Sequence, residues 1–249
     1  MSMLKYAFLG IIQGLTEFFP VSSSGHLVIA QKAIGFQGNV VAVSVILHLG
    51  TCLALLVFFF KDILKLFWDM KSLFFVAVVT LITGAIGLGG KDFFEGLFSS
   101  VRSVQLALIV TGLILILTKR FENAKRADLN IKDALILGLT QGLAIIPGIS
   151  RSGITISTLL FRKIDRDTAF KFSFLASIPA ILGAALLEAK DIGSVFASGK
   201  IYLAVGFGCS FISGLFALWA LKAILHNAKF HYFGYYCIIA GIVTLLFLK

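Results

Sequence analysis

The stretch QGLTEFFPVSSSGH, residues 13–26, is the most polar part of an otherwise apolar N-terminal region. It places Gln13, Glu17, three consecutive serines and His26 between two apolar runs, with Pro20 near its middle. Proline ends or kinks a helix, and serine is a favoured residue immediately before the first turn of one. The pattern therefore predicts two short helices joined by a polar turn.

The composition of the chain decides the environment of this turn. The 249 residues are 59% hydrophobic and 14% charged, with a mean hydropathy of +1.00. Soluble domains have roughly 45–50% apolar and about 25% charged residues, so we expect an integral membrane protein. The net charge of +10 is spread over short stretches between apolar segments. We therefore expect contact with membrane lipids and no binding of nucleic acid.

Hydropathy predicts an all-α polytopic membrane protein. A spanning helix needs about 20 mostly apolar residues, and two apolar regions are too broken for that, residues 4–35 and 131–161. Non-helical backbone at membrane depth is tolerated only inside protein or beside a water-filled cavity. We expect both regions to be re-entrant helical hairpins. Six predicted transmembrane helices complete the fold, at residues 41–60, 72–89, 103–118, 168–187, 201–221 and 232–248.

The two broken regions resemble each other. LGIIQGLTEFFPVSSSG (residues 9–25) and LGLTQGLAIIPGISRSG (residues 137–153) align without a gap and share eight of seventeen residues. A hairpin followed by three spans returns the chain on the opposite side, so the second unit is inverted, as in many transporters. We predict a single membrane domain, 1–249, with inverted repeats of about 1–118 and 131–249.

The distribution of basic residues predicts the orientation. The side opposite the N-terminus carries roughly twice as many Lys and Arg residues, and such loops are cytoplasmic by the positive-inside rule. Both termini are then outside, with the larger basic loops in the cytoplasm.

The two turns together have the composition of an anion site. Glu17 and Arg151 stand at corresponding turns and are expected to meet. Gln13 and Glu17 are four residues apart, on one helical face. Two helix N-termini with serine hydroxyls and a guanidinium favour a phosphate group. The binding set predicted from the two turns is Gln13, Ser22, Ser24, Gly25, Gly148, Ser150, Ser152 and Gly153.

His26 and Glu17 add groups that binding alone does not need. A histidine accepts a proton near neutral pH, and a carboxylate holds a divalent cation or orients the histidine. We predict phosphoryl transfer with catalytic residues Glu17, Ser23, His26 and Arg151. Ser23 is the expected nucleophile and His26 its base, with attack by His26 or by water as the alternatives. His48 stands alone in an apolar run and is interpreted as a packing residue.

QGLTEFFPVSSSGHL and PGISRSGITI resemble the two signature segments of the undecaprenyl-diphosphate phosphatases, the bacitracin-resistance membrane enzymes. The resemblance extends over the whole chain in length and motif spacing. The family's first motif has Glu or Gln at the position of Gln13, and many members carry Glu there. Its second motif extends to Thr155, which the resemblance adds to the binding set.

The resemblance implies a substrate and a place. The substrate is a polyprenyl diphosphate, hydrolysed to the monophosphate carrier of cell-wall synthesis plus phosphate, with resistance to bacitracin as a consequence. A divalent cation, Mg²⁺ or Ca²⁺, is implied, with Glu17 as its candidate ligand. The place is the bacterial plasma membrane, with an active site open to the outer side.

Two other functions use the same features. An inverted repeat alone favours a transporter or flippase of polyprenyl phosphate, acting alone or coupled to hydrolysis. The type 2 phosphatidic acid phosphatases also carry Ser-Gly-His and Ser-Arg, but their later His-x-x-x-Asp does not occur after Arg151. A monomer and a homodimer are both compatible with the sequence.

Overall fold

The computed structural model describes residues 2–36, 40–98, 100–121, 125–187 and 189–247, without the side chains of 40–42, 95, 98 and 189–199. Most of these residues are helical, and the described residues form no strand, apart from one isolated bridge between Arg126 and Ile164. The all-α prediction is confirmed. The helices are α1 Met3–Phe18, α2 Ser23–Ala33, α3 Val40–Phe58, α4 Phe60–Trp68, α5 Met70–Gly89, α6 Lys91–Phe98, α7 Val101–Leu117, α8 Ile131–Leu143, α9 Arg151–Phe161, α10 Arg166–Leu187, α11 Ala189–His226 and α12 Tyr232–Phe247, with a 3₁₀ turn at Thr118–Phe121.

Several helices are long and apolar enough to cross a bilayer. Four qualify within the described ranges, Met70–Gly89, Val101–Phe121, Arg166–Leu187 and Lys200–His226, and a fifth if α3 and α4 count as one span. The chain is therefore a multi-pass membrane protein. With 16 residues, α12 is shorter than the ~20 that a spanning helix needs, so six spans stay a prediction.

Two predicted segments differ in detail from the structure. The segment 41–60 is not one straight helix, because α3 ends at Phe58 and α4 turns away by 70°. The segment 201–221 lies inside a much longer helix, α11, which begins at Ala189. Glycine costs only about 1 kcal/mol in a helix interior, so Gly193 and Gly199 do not end it.

The two broken regions are indeed pairs of short helices. We call α1 with α2 hairpin 1 and α8 with α9 hairpin 2. At 1.5 Å per residue the four helices are about 16–24 Å long, less than the ~30 Å hydrocarbon core. Hairpin 1 packs against α11 and hairpin 2 packs against α5.

Helices α7 and α12 cross through a reciprocal glycine contact. A Cβ on Gly112 would lie 2.6 Å from the carbonyl oxygen of Gly234 and 2.6 Å from Ile238 Cγ1. A Cβ on Gly234 would lie 2.6 Å from the carbonyl oxygen of Gly112 and 2.7 Å from Ile116 Cγ1. Each glycine thus lets the other backbone approach closely, as small residues do in membrane helix pairs.

The turns of the two hairpins touch each other beside α7. A Cβ on Gly25 would lie 3.5 Å from the Cα of Gly148, and Ser152 Oγ donates to the carbonyl of Phe19 at 3.3 Å. Gly148 has a φ of +96°, and a Cβ there would lie 2.3 Å from the carbonyl oxygen of Val104 in α7. Only glycine fits this close approach.

Candidate active site

Glu17 is the centre of the polar cluster between the two turns. It is 7% exposed, in the last turn of α1. Its Oε1 accepts a short hydrogen bond from Arg151 Nη2, and its Oε2 accepts from Gln13 Nε2 at 3.1 Å. The carboxylate is buried, and the guanidinium of Arg151 supplies the opposite charge that such burial requires.

Ser23 reaches the same carboxylate from the other side of the turn. Its hydroxyl donates to Glu17 Oε2 at 2.5 Å. Ser23 is the first residue of α2 and Arg151 the first residue of α9, so equivalent positions of the two hairpins meet at Glu17. A hydroxyl in short contact with a carboxylate can transfer its proton while its oxygen attacks phosphorus.

His26 lies one turn further along α2 and has different partners from those expected. Its Nδ1 is 2.8 Å from the carbonyl oxygen of Ser22, and its Nε2 is 2.7 Å from the hydroxyl of Tyr236. Ser23, for which His26 is the expected base, donates its hydroxyl to Glu17 instead.

His48 is the histidine that lies beside Glu17. Its Nε2 is 3.5 Å from Glu17 Oε2, and its Nδ1 is 2.7 Å from the carbonyl oxygen of Ser44. A purely packing role was the expectation, and the ion-pair distance to Glu17 places His48 at the site instead. Sequence reasoning missed it because its neighbours in α3 are apolar, and only the packing of α3 next to α1 brings it to the carboxylate.

The remaining predicted binding residues mostly form the two turns. Ser22 Oγ accepts from the N–H of Gly25 at 3.4 Å, and Ser150 Oγ accepts from the N–H of Gly153 at 3.1 Å. Each serine caps the second helix of its hairpin, as expected. The hydroxyls of Ser24 and Ser152 lie 3.3 Å from these caps.

Thr155 is placed away from the centre of the cluster. Its hydroxyl lies 2.6 Å from that of Ser173 on α10 and donates to the carbonyl of Arg151 at 2.7 Å. It therefore connects the helix that carries Arg151 to α10.

Two buried polar atoms of the cluster have no hydrogen-bond partner within the described ranges, Gln13 Oε1 and Arg151 Nη1. An unpaired buried polar atom costs about 1–3 kcal/mol, so each is an available contact for a ligand. Gln13 Oε1 is an oxygen that can bind a cation. Arg151 Nη1 is a cationic donor that can bind a phosphate oxygen.

The donor set fits a divalent cation that is shared with a phosphate. The described residues contain no group of three or more His, Cys, Asp or Glu side chains placed to hold a metal. Mg²⁺ nevertheless binds through one or two protein oxygens together with substrate phosphates. Gln13 Oε1 is unpaired among the described residues, and Glu17, whose two oxygens accept hydrogen bonds from Arg151, Gln13 and Ser23, would be the second ligand.

A second charged cluster lies at the other end of hairpin 2, near its first residue. Asp133 accepts two hydrogen bonds from Arg126, at 2.8 and 2.9 Å, and one from Arg162 Nε at 2.8 Å. Burial alone would raise the pKa of Asp133, but these hydrogen bonds outweigh burial and hold its pKa below the usual value. The cluster ties the start of α8 to the end of α9.

The fold and the cluster together define a multi-pass membrane protein with one buried Glu–Arg–Ser site between two helical hairpins. The family model described as Bacitracin resistance protein BacA matches residues 6–243. The chain belongs to this family, which confirms the resemblance seen in the two motifs.

Curated relatives extend over nearly the whole chain. An undecaprenyl-diphosphatase of Carboxydothermus hydrogenoformans is 43% identical over 255 residues, which is 99% of this chain and 97% of that protein. That of Halothermothrix orenii is 42% identical over 254 residues, covering 99% and 98%. A third, from Methanosphaera stadtmanae, is 36% identical over 272 residues, covering 99% and 98%.

Proposed function

We propose that this protein hydrolyses undecaprenyl diphosphate, or a closely related polyprenyl diphosphate, to the monophosphate and phosphate. Full-length relatives named undecaprenyl-diphosphatase support this activity. Arg151 is the observation that links this activity to particular residues. Its Nη2 binds Glu17, and its Nη1 is buried without a partner in the described part of the chain. A guanidinium with a free buried N–H is suited to bind a phosphate oxygen.

The substrate's terminal phosphate would lie between Arg151 and Ser23. The Ser23 oxygen attacks the terminal phosphorus, and Glu17, which accepts its hydrogen bond, takes the proton. The bond from the terminal phosphorus to the bridging oxygen breaks, and the polyprenyl monophosphate leaves. Water then cleaves the phosphoserine and releases phosphate.

His26 has a role in the second half of this reaction. It is three residues from Ser23 on α2, hence on the same helical face. Its Nε2 can accept the proton of the water that attacks phosphoserine. Direct attack by His26 on the phosphate, with a phosphohistidine in place of phosphoserine, is the alternative.

A divalent cation, Mg²⁺ or Ca²⁺, would be held by Glu17 and Gln13 Oε1. When bound, it would neutralise negative charge on the diphosphate. Arg151 and the N–H groups at the starts of α2 and α9 act on the same charge from the protein side.

The proposed arrangement in the bacterial plasma membrane is six spans and two re-entrant hairpins in an inverted repeat, with outward termini. Support comes from the shared motif of residues 9–25 and 137–153, whose turns lie against each other at Gly25 and Gly148. Support also comes from the short helices of both hairpins.

Cysteines introduced singly at Lys5 and Lys125 test the orientation. An impermeant thiol reagent should label the first from outside intact cells and the second only after lysis. The opposite pattern would overturn it.

The activity is tested with purified protein in detergent and a soluble farnesyl diphosphate as substrate. Wild-type protein should release phosphate, and Arg151→Lys should lose about a hundredfold in kcat/KM because lysine cannot replace a two-pronged guanidinium. Arg162→Lys, outside the site, is the matched control and should stay near wild type. Near-normal turnover of Arg151→Lys would refute the assignment of this residue.

Transport is the second candidate function, since broken helices and repeats are common in transporters. Sealed vesicles that move labelled polyprenyl phosphate without releasing phosphate would favour transport over hydrolysis.

A phosphoserine on Ser23 trapped by acid quenching would support the hydrolytic route and the choice of nucleophile. An acid-labile adduct on His26 would select the alternative.

A further inference from the structure

Tyr236 is in direct contact with His26 although the two are 210 residues apart. Its hydroxyl lies 2.7 Å from His26 Nε2. The two rings are nearly parallel, at an angle of 13°, with centroids 5.7 Å apart. The contact therefore combines a hydrogen bond with a stacking arrangement, and both restrict the orientation of the imidazole.

The hydrogen bonds of His26 define which nitrogen carries the proton. Nδ1 faces the carbonyl oxygen of Ser22 at 2.8 Å, and a carbonyl only accepts, so Nδ1 carries the hydrogen. In the neutral ring Nε2 is then the acceptor, and the hydroxyl of Tyr236 donates to it. The two partners thus select the tautomer whose free lone pair is on Nε2.

The backbone around Tyr236 is fixed against the turn of hairpin 1. On one side, the ring of Phe233 packs on Phe19 with centroids 5.3 Å apart. On the other side, the thiol of the buried Cys237 is 3.4 Å from the carbonyl oxygen of Pro20. Two contacts to the turn that precedes His26 therefore hold the segment of α12 that presents Tyr236.

Its neighbour Tyr235 offers a direct contrast. Both tyrosines are about half exposed, 46% for Tyr235 and 48% for Tyr236. Tyrosines at the ends of membrane helices commonly anchor them at the lipid interface, and Tyr235, whose ring is 6.3 Å from that of Tyr232, fits that role. Tyr236 differs from it by its hydrogen bond to a residue of the candidate site.

We propose that Tyr236 is a positioning residue that holds His26 in the tautomer and orientation with the Nε2 lone pair available for proton transfer. In the free protein the Tyr236 hydroxyl donates a hydrogen bond to that lone pair. When a diphosphate enters, the same O–H can turn to a phosphate oxygen and release Nε2. The kinetic part of this inference rests on the proposed phosphatase function, but the contact itself does not.

The first measurement follows the reactivity of His26 and needs no activity. Diethyl pyrocarbonate acylates the unprotonated nitrogen of histidine, and mass spectrometry gives the rate for each histidine separately. Tyr236→Phe keeps the ring but removes the hydroxyl, and should raise the rate at His26 about fivefold, as the loss of one hydrogen bond implies. The rate at His48 should not change. Tyr235→Phe, which removes a hydroxyl at equal exposure, should leave both rates unchanged.

The second measurement is kinetic. With farnesyl diphosphate, Tyr236→Phe should lower kcat about fivefold to tenfold with less than a twofold change in KM. Tyr235→Phe should match wild type. A general loss of structure would instead lower the active fraction and accelerate acylation of His26 and His48 together.

Unchanged acylation of His26 in Tyr236→Phe would overturn the proposal, whatever the kinetics. Accelerated acylation with unchanged kcat would also overturn it, because His26 would then be held by Tyr236 without consequence for turnover. If wild-type protein releases no phosphate, the proposed function fails, while the acylation rates still decide whether Tyr236 holds His26.

Discussion

Hairpin 1 and hairpin 2 share a backbone design and differ in their side-chain chemistry. In both, a serine caps the second helix by accepting the N–H of a glycine three residues later, Gly25 in one and Gly153 in the other. In both, the hydroxyl of the serine two residues after the cap lies beside the cap hydroxyl. The similarity of the two motifs therefore reflects the requirements of the turn.

The differences fall on the residues that meet at the site. Hairpin 1 supplies the carboxylate of Glu17 and the imidazole of His26, where hairpin 2 has Ile145 and Ile154. At the first residue of the second helix, hairpin 1 has the hydroxyl of Ser23 and hairpin 2 has the guanidinium of Arg151. One hairpin thus carries groups that can accept a proton, and the other carries the positive charge.

The turns also differ in backbone strain. Ser22 has a φ of +69°, whereas the equivalent Ser150 has a φ of −79°. A positive φ is costly for a residue other than glycine, by about 1–3 kcal/mol, and such residues cluster at active sites. The carbonyl of Ser22 accepts from both the N–H and the Nδ1 of His26. The strained turn is therefore the one that orients the imidazole of His26.

The ends of the hairpins away from the turns are tied by different charges. In hairpin 1, Lys5 Nζ donates to the carbonyl oxygen of Ile34 at 2.7 Å. In hairpin 2, the equivalent of Lys5 is the buried Asp133, which binds Arg162, the equivalent of Ile34. The same connection between first and second helix is made once by a single cation and once by a buried carboxylate with two arginines.

The largest expected effect is at Glu17. Glu17→Gln should lower kcat by about a thousandfold, since it removes the charge that activates Ser23 and balances Arg151. Phosphate release from farnesyl diphosphate measures it. Ile145→Gln places the same glutamine side chain at the matching position of hairpin 2 and should cost less than about twofold. Because Glu17→Gln leaves a buried arginine unpaired, the double variant Glu17→Gln/Arg151→Gln serves as a folded, inactive control. An active Glu17→Gln would break the division of roles between the hairpins.

The next effect concerns stability and pH. The lowered pKa of Asp133 means that its stabilisation is fully present above the unfolded value of about 4 and is lost as pH falls through the folded pKa. Asp133→Asn should lower the unfolding free energy near pH 7 by about 2 kcal/mol and flatten the decline in stability below pH 4. Thermal unfolding in detergent between pH 7 and pH 3 measures both.

The comparison variant is Lys5→Met, which removes the hydrogen bond from Lys5 to Ile34 in hairpin 1. It should lower the unfolding free energy by about 1 kcal/mol or less. Equal losses for the two variants would contradict the comparison.

The two equivalent glutamines give a smaller effect and a matched pair. Each is buried and has an Oε1 without a partner in the described ranges, but Gln13 donates to Glu17 while Gln141 donates to Thr83 at 3.2 Å. Gln13→Leu should lower kcat/KM about tenfold, because it removes one hydrogen bond to the carboxylate. Gln141→Leu should keep near-normal turnover. Equal losses of activity in both would show that the effect comes from packing and not from the site.

The smallest expected effect is at His48. His48→Leu removes the nitrogen 3.5 Å from Glu17 and should lower kcat about threefold, because one contact to the carboxylate is lost. His226→Leu, at the end of α11, is the control and should have no effect. A His48→Leu variant with wild-type kcat would return this histidine to a packing role.

Much of the molecule could be predicted from sequence. The membrane class, the two broken regions and the cap serines depend on local patterns of hydropathy and turn chemistry, which act over a few residues. The two motifs also identified the family. The exact ends of the helices were less predictable, as the bend after Phe58 and the early start of α11 show, because glycine and loop-like composition alone do not end a long helix.

The partners of each functional side chain were decided by the tertiary structure. Arg151 meets Glu17 across 134 residues, as the alignment of the two motifs suggested, but Tyr236 meets His26 across 210 residues without any sequence signal. His48 reaches Glu17 only because α3 packs next to α1. Periodicity shows that a residue is on one face of its helix, but not which face of a distant helix it will contact. For that reason the sequence determined which chemical groups are present, and only the packing of the helices determined that Ser23 binds Glu17 and that Tyr236 holds His26.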